Sequence, residues 1–218
     1  METNPRETII AAASHFYKLG WMMGTAGNLS VRIPDGSFWI TGSGCNKGEL
    51  TSTDLIRMEL DGTIAHKPRP DVRPSAETSI HQAIYSLFPE AQACYHVHSI
   101  EGNLVSRFTD GDNLPLPPLE MLKGLGVWEE NPQVDIPIFP NHLDVSQIAR
   151  DICDRFEATP PSLSALLIRD HGITVWASSP RQAVNFLEVL EYTFRYMVAE
   201  RTLGLLEIKE KKMPSKLP

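Results

Sequence analysis

The chain lacks the features of membrane proteins and of disulfide-stabilised proteins. None of its apolar runs approaches the roughly 18 residues that cross a bilayer, and residues 1–7 show no basic region followed by an apolar one. It has three cysteines, widely spaced and without a CxxC pair, which argues against a disulfide framework and against a cysteine zinc site. We therefore expect a cytoplasmic protein that does not act at a membrane.

The chain also lacks an excess of basic residues. Its 20 Lys and Arg against 27 Asp and Glu give a formal net charge of -7, which argues against nucleic acid or an anionic membrane surface as a partner. A phosphorylated small molecule is compatible with this charge, because backbone N–H groups bind phosphate whatever the total charge. The length of 218 residues and the hydrophobic fraction of 42% are ordinary for one globular domain with a substantial core.

Helical and strand patterns are mixed along the chain. Capped or amphipathic segments predict helices over 4–20, 75–88, 99–108, 144–156 and 179–206. Short apolar or alternating runs predict strands over 29–33, 37–40, 54–60, 93–98, 134–139, 165–168 and 172–177. Because hairpin-joined strands are mixed with helices, we expect one α/β domain with a largely antiparallel sheet covered by helices. We place this domain at residues 1–208, followed by a flexible tail at 209–218.

Three histidines form a candidate metal site. His96 and His98 end the short apolar strand that begins at Ala93, and alternate residues of a strand point to the same face. His171 follows another apolar run, 165–168, and supplies a third imidazole. Three neutral imidazoles with one open position are typical of catalytic zinc sites. The alternative is that these are hydrogen-bonded core residues, as a single buried histidine usually is.

Two small polar loops are candidate anion sites. One contains Asn28 and the other contains Ser43 and Gly44. Glycine lets a backbone approach a ligand, and hydroxyl and N–H groups cradle phosphate. Ser75 stands at a predicted helix start, which also favours an anion. The alternative is that these are ordinary turns, and neither loop matches a nucleotide-binding motif.

Two carboxylates are candidate acid/base groups. Glu77 follows Ser75 by two residues, and Glu120 lies in a short segment after a Gly/Pro-rich loop. A carboxylate near a metal serves as a general acid or base when burial and the cation set its pKa. The alternative for Glu77 is a favourable charge in the first turn of a helix. The alternative for Glu120 is a solvated loop residue.

The order of these motifs resembles the class II aldolase/adducin family. The matching pieces are Gly27–Arg32, Ser43-Gly44, Ser75-Ala76-Glu77, His96-Val97-His98 and Arg169–Gly172, within a match from about residue 6 to residue 206. The resemblance implies a three-layer α/β/α domain with a central, mainly antiparallel sheet. It also implies one Zn²⁺ per subunit, usually in a homotetramer with sites near the subunit interfaces, and it makes the metal ligands His96, His98 and His171.

Three further stretches, 119–124, 138–142 and 187–191, favour the dehydratases of this family. The resemblance then implies a hydro-lyase of methionine salvage that removes water from a methylthio-substituted pentulose 1-phosphate. It implies Glu120 as the acid/base, whereas aldolases of the family use the acid at Glu77, and this chain has both. Ala76 stands where aldolases usually have a second serine. The implied phosphate contacts are Asn28, Ser43, Gly44 and Ser75.

Two alternatives to the dehydratase remain. One is a sugar-phosphate aldolase or a pentulose-phosphate 4-epimerase of the same fold. The other is a non-catalytic adducin-like interaction module, against which the complete histidine set argues. The sequence leaves open the identity of the metal and the residues around the methylthio group. It also leaves open whether Lys47, Lys123 or His142 contacts the substrate.

Overall fold

The computed structural model describes residues 4–204. The helices are α1 (Pro5–Lys18), α2 (Thr78–Leu87), α3 (Ile100–Val105), α4 (Val145–Ala158) and α5 (Pro180–Thr202). The strands are β1 (Asn28–Arg32), β2 (Phe38–Thr41), β3 (Leu55–Met58), β4 (Ile64–His66), β5 (Ala93–Val97), β6 (Asn113–Pro115), β7 (Asp135–Phe139), β8 (Ala165–Ile168) and β9 (Gly172–Ala177). Two 3-10 turns cover Ser52–Asp54 and Glu120–Leu125. The predicted tail at 209–218 and the end of the predicted domain lie outside the described residues. The last helix ends at Thr202, before the predicted residue 206.

The nine strands form one sheet in the order β4-β3-β2-β1-β5-β9-β8-β7-β6. Neighbouring strands are antiparallel except for β7 and β8, which are parallel. The prediction of a central, mainly antiparallel sheet is therefore confirmed. Asn28 of β1 lies opposite His96 of β5, and His96 lies opposite Thr174 of β9. This register sets three polar side chains in a row across the middle of the sheet.

Helices cover both faces of the sheet, which confirms the three-layer arrangement. On one face, α1 and α5 bury residues such as Phe16 and Leu187 against a large apolar cluster that also contains Val105 of α3. On the other face, α2 and α4 bury Ile84 and Ile152 in a second cluster. The sheet has an apolar layer on each side because its central strands are buried on both faces. Within residues 4–204, no helix is long and apolar enough to span a membrane.

Helix α2 begins later than the sequence predicts. The predicted cap, Ser75, lies two residues before the actual N-cap, Glu77. The Ser75 Oγ accepts a hydrogen bond from the Glu77 N–H at 3.3 Å, and the Ser75 carbonyl accepts one from Thr78. Ser75 therefore closes a turn that leads into the helix, which places both Ser75 and Glu77 at the helix entrance.

Two short edge strands were not predicted. Strand β4 pairs with β3, and β6 pairs with β7, although the prolines of 65–74 and the glycine and prolines of 109–119 predict loops there. Each is three residues long and lies at one end of the sheet. Edge strands tolerate proline because one side of the strand needs no hydrogen-bonding partner. Composition therefore favoured a loop at positions where pairing with a neighbour gives a strand.

Candidate metal centre

Three histidines and one glutamate converge at one end of the central strands. His96 is in β5, His98 follows that strand, His171 lies in the turn from β8 to β9, and Glu77 caps α2. One ligand atom from each of the four lies within 4.8 Å of the others. The structure thus brings together the three predicted histidines and adds Glu77 to them.

The ring geometry points the same nitrogen of each imidazole toward one centre. The Nε2 atoms of His96 and His98 are 2.8 Å apart. The Nε2 of His171 lies 2.8 Å from Glu77 Oε1, and the other two Nε2 atoms each lie 3.7 Å from that oxygen. Three imidazoles and a carboxylate are a donor set that suits Zn²⁺ and other divalent first-row metals. The cluster therefore fits a metal ion.

The outward-facing Nδ1 atoms of two rings are held by other side chains. The Nδ1 of His96 lies 2.9 Å from Thr174 Oγ1, its partner across the sheet. The Nδ1 of His171 lies 3.2 Å from Asn141 Oδ1. Such contacts orient metal-binding imidazoles and leave Nε2 for the metal. Thr174 and Asn141 were not predicted, although the β5–β9 pairing places Thr174 beside His96.

Gly172 lets the His171 turn approach β5. A Cβ at this position would lie 2.2 Å from the Val97 carbonyl oxygen and 3.1 Å from atoms of both His96 and His98. Asp170, in the same turn, has a positive φ of 54°, and its N–H donates to Ser106 Oγ at 3.0 Å. The tight turn and the absent side chain together bring the third imidazole to the first two.

The charge state of the cluster suits a cation. Burial alone would raise the pKa of Glu77, but the imidazoles of His96, His171 and His98 beside it hold that pKa well below its usual range. Burial lowers the pKa of His96 well below its usual value. A neutral imidazole and an ionised carboxylate are the forms that bind a metal ion.

A small polar pocket of about 230 Å³ adjoins the cluster. Among the residues that line it are Ser43, Gly44 and Ser75, three of the four predicted phosphate contacts, together with Lys47. Lys47 is 1% exposed, and its Nζ donates to the carbonyls of Thr25 at 2.9 Å and Cys45 at 3.0 Å. Because an ammonium group has three N–H donors, one remains for a ligand. The pocket has the chemistry of an anion site.

Asn28 lies behind this pocket rather than in its lining. Its Nδ2 donates to Ser75 Oγ at 3.1 Å and to Glu77 Oε2, and its Oδ1 contacts His81 Nε2. All of its hydrogen-bonding groups are therefore used within the protein. His81 was not predicted, although its spacing of four residues from Glu77 puts both on one face of a helix.

The structure does not bring Glu120 into the cluster within residues 4–204. Its side chain is 80% exposed in the 3-10 turn, and its Oε1 accepts from Lys123 Nζ at 2.9 Å. Strand β6, which precedes it, is antiparallel to β7 and runs away from the sheet end that carries the histidines. The role of His142 is open from the sequence. Its Nε2 lies 2.9 Å from Oδ2 of Asp151 in α4.

The chain is similar to proteins of one known family. The model of a family described as the class II aldolase and adducin N-terminal domain matches residues 7–198. A methylthioribulose-1-phosphate dehydratase from Microcystis aeruginosa is 61% identical over 90% of this chain and 96% of its own length. A methylthioribulose-1-phosphate dehydratase from Leptospira biflexa is 42% identical over 86% of this chain and 94% of its own length.

Solved structures share the fold. YgbL from Escherichia coli superposes with a TM-score of 0.76 at 28% identity and covers 89% of this chain and 88% of its own. An L-fuculose 1-phosphate aldolase also gives a TM-score of 0.76, at 20% identity, and covers 100% of this chain and 92% of its own. At 20% identity, the similarity to this aldolase shows a shared fold only.

Proposed function

This chain belongs to the class II aldolase and adducin family, and from that premise we propose that it dehydrates 5-methylthioribulose 1-phosphate to 2,3-diketo-5-methylthiopentyl 1-phosphate. The observation that carries the proposal is the 61% identity, over 90% of the chain, to a relative named for this reaction. The enzyme is a hydro-lyase, and the reaction is a step of methionine salvage.

The chemistry requires a base, an acid and a polarised ketone. The substrate has a ketone at C2 and hydroxyl groups at C3 and C4. Removal of the C3 proton and loss of the C4 hydroxyl as water give an enol, which tautomerises to the diketone. One carboxyl group can perform both proton transfers, since it accepts the C3 proton and then donates a proton to the departing hydroxyl.

Class II aldolases are metal-dependent, and the cluster of Glu77, His96, His98 and His171 could hold a metal. We propose Zn²⁺, one per subunit, on the three imidazoles, which are its common ligands. When bound, the metal supplies Lewis-acid polarisation of the substrate carbonyl. Glu77 lies against all three imidazoles, so we propose that it helps hold the metal and set the charge of the site.

The polar pocket is the proposed phosphate site. Ser43 and Ser75 offer hydroxyl groups and Gly44 a backbone N–H at its surface, and Lys47 offers a buried ammonium; the Ser43 N–H already donates to the Arg73 carbonyl at 2.8 Å. Gly44 has a positive φ of 72°, which lets its loop present backbone groups to a ligand. Asn28 supports this site from behind through its hydrogen bond to Ser75.

Glu120 is the proposed acid/base, supplied by a neighbouring subunit of a homotetramer. Two observations support this arrangement. The Glu120 side chain is 80% exposed in the single chain. Strand β6 leads the chain away from its own histidine cluster. An exposed carboxylate on one copy is then available to the exposed pocket of another.

The proposed location is the cytoplasm, since Cys45, Cys94 and Cys153 are free thiols.

The first experiment is a product assay on zinc-loaded protein with 5-methylthioribulose 1-phosphate. We expect formation of the diketo phosphate, and its loss in both His98→Ala and Glu120→Gln. Glu130→Gln is the matched control, because Glu130 is an exposed carboxylate ten residues further along. Cleavage of fuculose 1-phosphate or epimerisation of ribulose 5-phosphate, with no diketo product, would favour the aldolase or the epimerase instead.

A mixing experiment tests where Glu120 acts. Subunits carrying His98→Ala and subunits carrying Glu120→Gln are each expected to be inactive alone. If Glu120 serves a neighbouring site, refolding them together creates some interfaces with one intact metal site and one intact Glu120. We expect part of the activity to return. A mixed tetramer that stays inactive would place Glu120 in its own subunit's site, and a monomeric protein would contradict the tetramer.

A further inference from the structure

A buried polar row connects β1 to α2 behind the metal cluster. On the helix, Glu77, His81 and Tyr85 are four residues apart, a rise of about 6 Å per step. On the strand, Asn28 and Ser30 are two residues apart, a rise of about 6.7 Å. Because the two spacings nearly match, the strand side chains fit between those of the helix.

The row is continuous from the core to the cluster. Tyr85 Oη lies 2.8 Å from Ser30 Oγ, and Ser30 Oγ lies 2.7 Å from His81 Nδ1. His81 Nε2 contacts Asn28 Oδ1, and Asn28 Nδ2 donates to Glu77 Oε2. The four residues behind Glu77 are at most 1% exposed. Water therefore does not compete for these hydrogen bonds.

The Asn28 amide determines the direction of each hydrogen bond in the row. Its NH₂ donates to Glu77 and to Ser75, which leaves its carbonyl oxygen for His81. That oxygen needs a donor, so the His81 proton is on Nε2 and Nδ1 accepts from the Ser30 hydroxyl. The Ser30 hydroxyl has a second acceptor, the Cys94 carbonyl, but at the longer distance of 3.3 Å.

The other end of the row agrees with this direction. Burial raises the pKa of Tyr85 well above its usual value, so its phenol stays protonated and donates to Ser30. Burial lowers the pKa of His81 to about 4, so the neutral imidazole is the form present near pH 7. A neutral imidazole with one proton both donates and accepts, as its two contacts require.

We infer that His81 is a positioning residue, which anchors the Asn28 amide and, through it, holds Ser75 and Glu77 in place. Without the His81 donor, the Asn28 carbonyl oxygen is buried without a partner, so the amide is held from its NH₂ end only and can shift away from Ser75 and Glu77. Ser75 in the phosphate pocket and Glu77 in the cluster would then both lose a well-placed donor. This inference deepens the proposed function and rests on it.

The test compares His81→Leu with His81→Gln, each saturated with zinc. Leucine has a similar volume and no polar atom, whereas glutamine keeps a donor for Asn28. We expect His81→Leu to lower kcat/KM roughly 10- to 100-fold, the effect of one lost hydrogen bond to a charged group. We expect His81→Gln to restore most of it. Because His81 acts through Asn28, His81→Leu should add little further loss in an Asn28→Ala background.

Other results would overturn the inference. A His81→Leu protein with a lower Tm and unchanged kcat/KM would make His81 a structural residue only. Losses from His81→Leu and Asn28→Ala that multiply would show that His81 does not act through Asn28.

Imidazole ¹⁵N NMR of the zinc-loaded wild-type protein keeps the inference testable if His81→Leu does not fold. We expect a proton on Nε2 of His81, identified by the signals lost in His81→Gln. A proton on Nδ1 instead would overturn the assigned direction. A wild-type protein without dehydratase activity would refute the proposed function, while the NMR result would still decide the orientation.

Discussion

A buried carboxyl group on α5 makes stability depend on pH. Glu191 is 3% exposed; its Oε1 accepts from Ser99 Oγ at 2.7 Å, and among residues 4–204 its Oε2 has no hydrogen-bond partner. Burial raises the pKa of Glu191 from 4.5 to about 8. The folded protein therefore binds a proton that the unfolded chain releases above pH 4.5. This contribution to stability is fully present below pH 4.5 and is lost as the pH rises through 8.

The substitution Glu191→Gln tests this effect, because glutamine keeps an acceptor for Ser99 and has no charge. At about 1.36 kcal/mol per pH unit, the raised pKa lowers the free energy of unfolding of the wild type by roughly 3 kcal/mol at pH 7 and roughly 5 kcal/mol above pH 8, both relative to pH 4.5. Measured relative to wild type, the free energy of unfolding of Glu191→Gln should thus rise with pH between 5 and 8. Urea unfolding at several pH values, at one protein concentration, measures this difference.

The control is Glu130→Gln. Glu130 is an exposed carboxylate outside the core, so its substitution should change the free energy of unfolding by less than about 0.5 kcal/mol at each pH. The metal cluster is unchanged in all three proteins, so its contribution to the difference cancels. If Glu191→Gln and wild type give parallel curves between pH 5 and 8, the carboxyl group is not protonated by burial and the reasoning is refuted.

Three further outcomes follow from the structure. Saturating the protein with Zn²⁺ should stabilise it by about 2.7 kcal/mol when free metal is 100-fold above Kd. Calorimetry should show no such stabilisation in His171→Ala, and an equal stabilisation there would exclude His171 as a ligand. Arg169→Ala should lower the free energy of unfolding by about 2–4 kcal/mol, because Arg169 donates to the carbonyls of Ser106, Thr109 and Gly111. A loss below about 0.5 kcal/mol, which is typical of surface positions, would contradict this prediction. Leu187→Ala should cost about 2–5 kcal/mol in urea unfolding, since Leu187 is fully buried, whereas Leu203→Ala, 69% exposed, should change little; equal effects would mean that Leu187 is not in the core.

Local sequence patterns were sufficient for most helices and for the central strands. Asn4 and Ser179, the first residues of two predicted helices, cap α1 and α5 with their side chains, because a cap depends on residues two or three positions apart. Strands β8 and β9 have the predicted bounds, since a continuous apolar run ends at a turn. The edge strands β4 and β6 were missed because their pairing depends on neighbours distant in sequence.

Residue types and their spacing were enough to infer the chemistry that is available at the site. The His96-Val97-His98 spacing sets two imidazoles on one strand face, and the order of motifs identified the family. Tertiary structure alone decided how these groups meet. It placed Glu77 against the three imidazoles, turned Asn28 away from the pocket toward His81, and left Glu120 exposed. The physical reason is that these contacts join residues 19 to 94 positions apart, which only strand register and helix packing bring together.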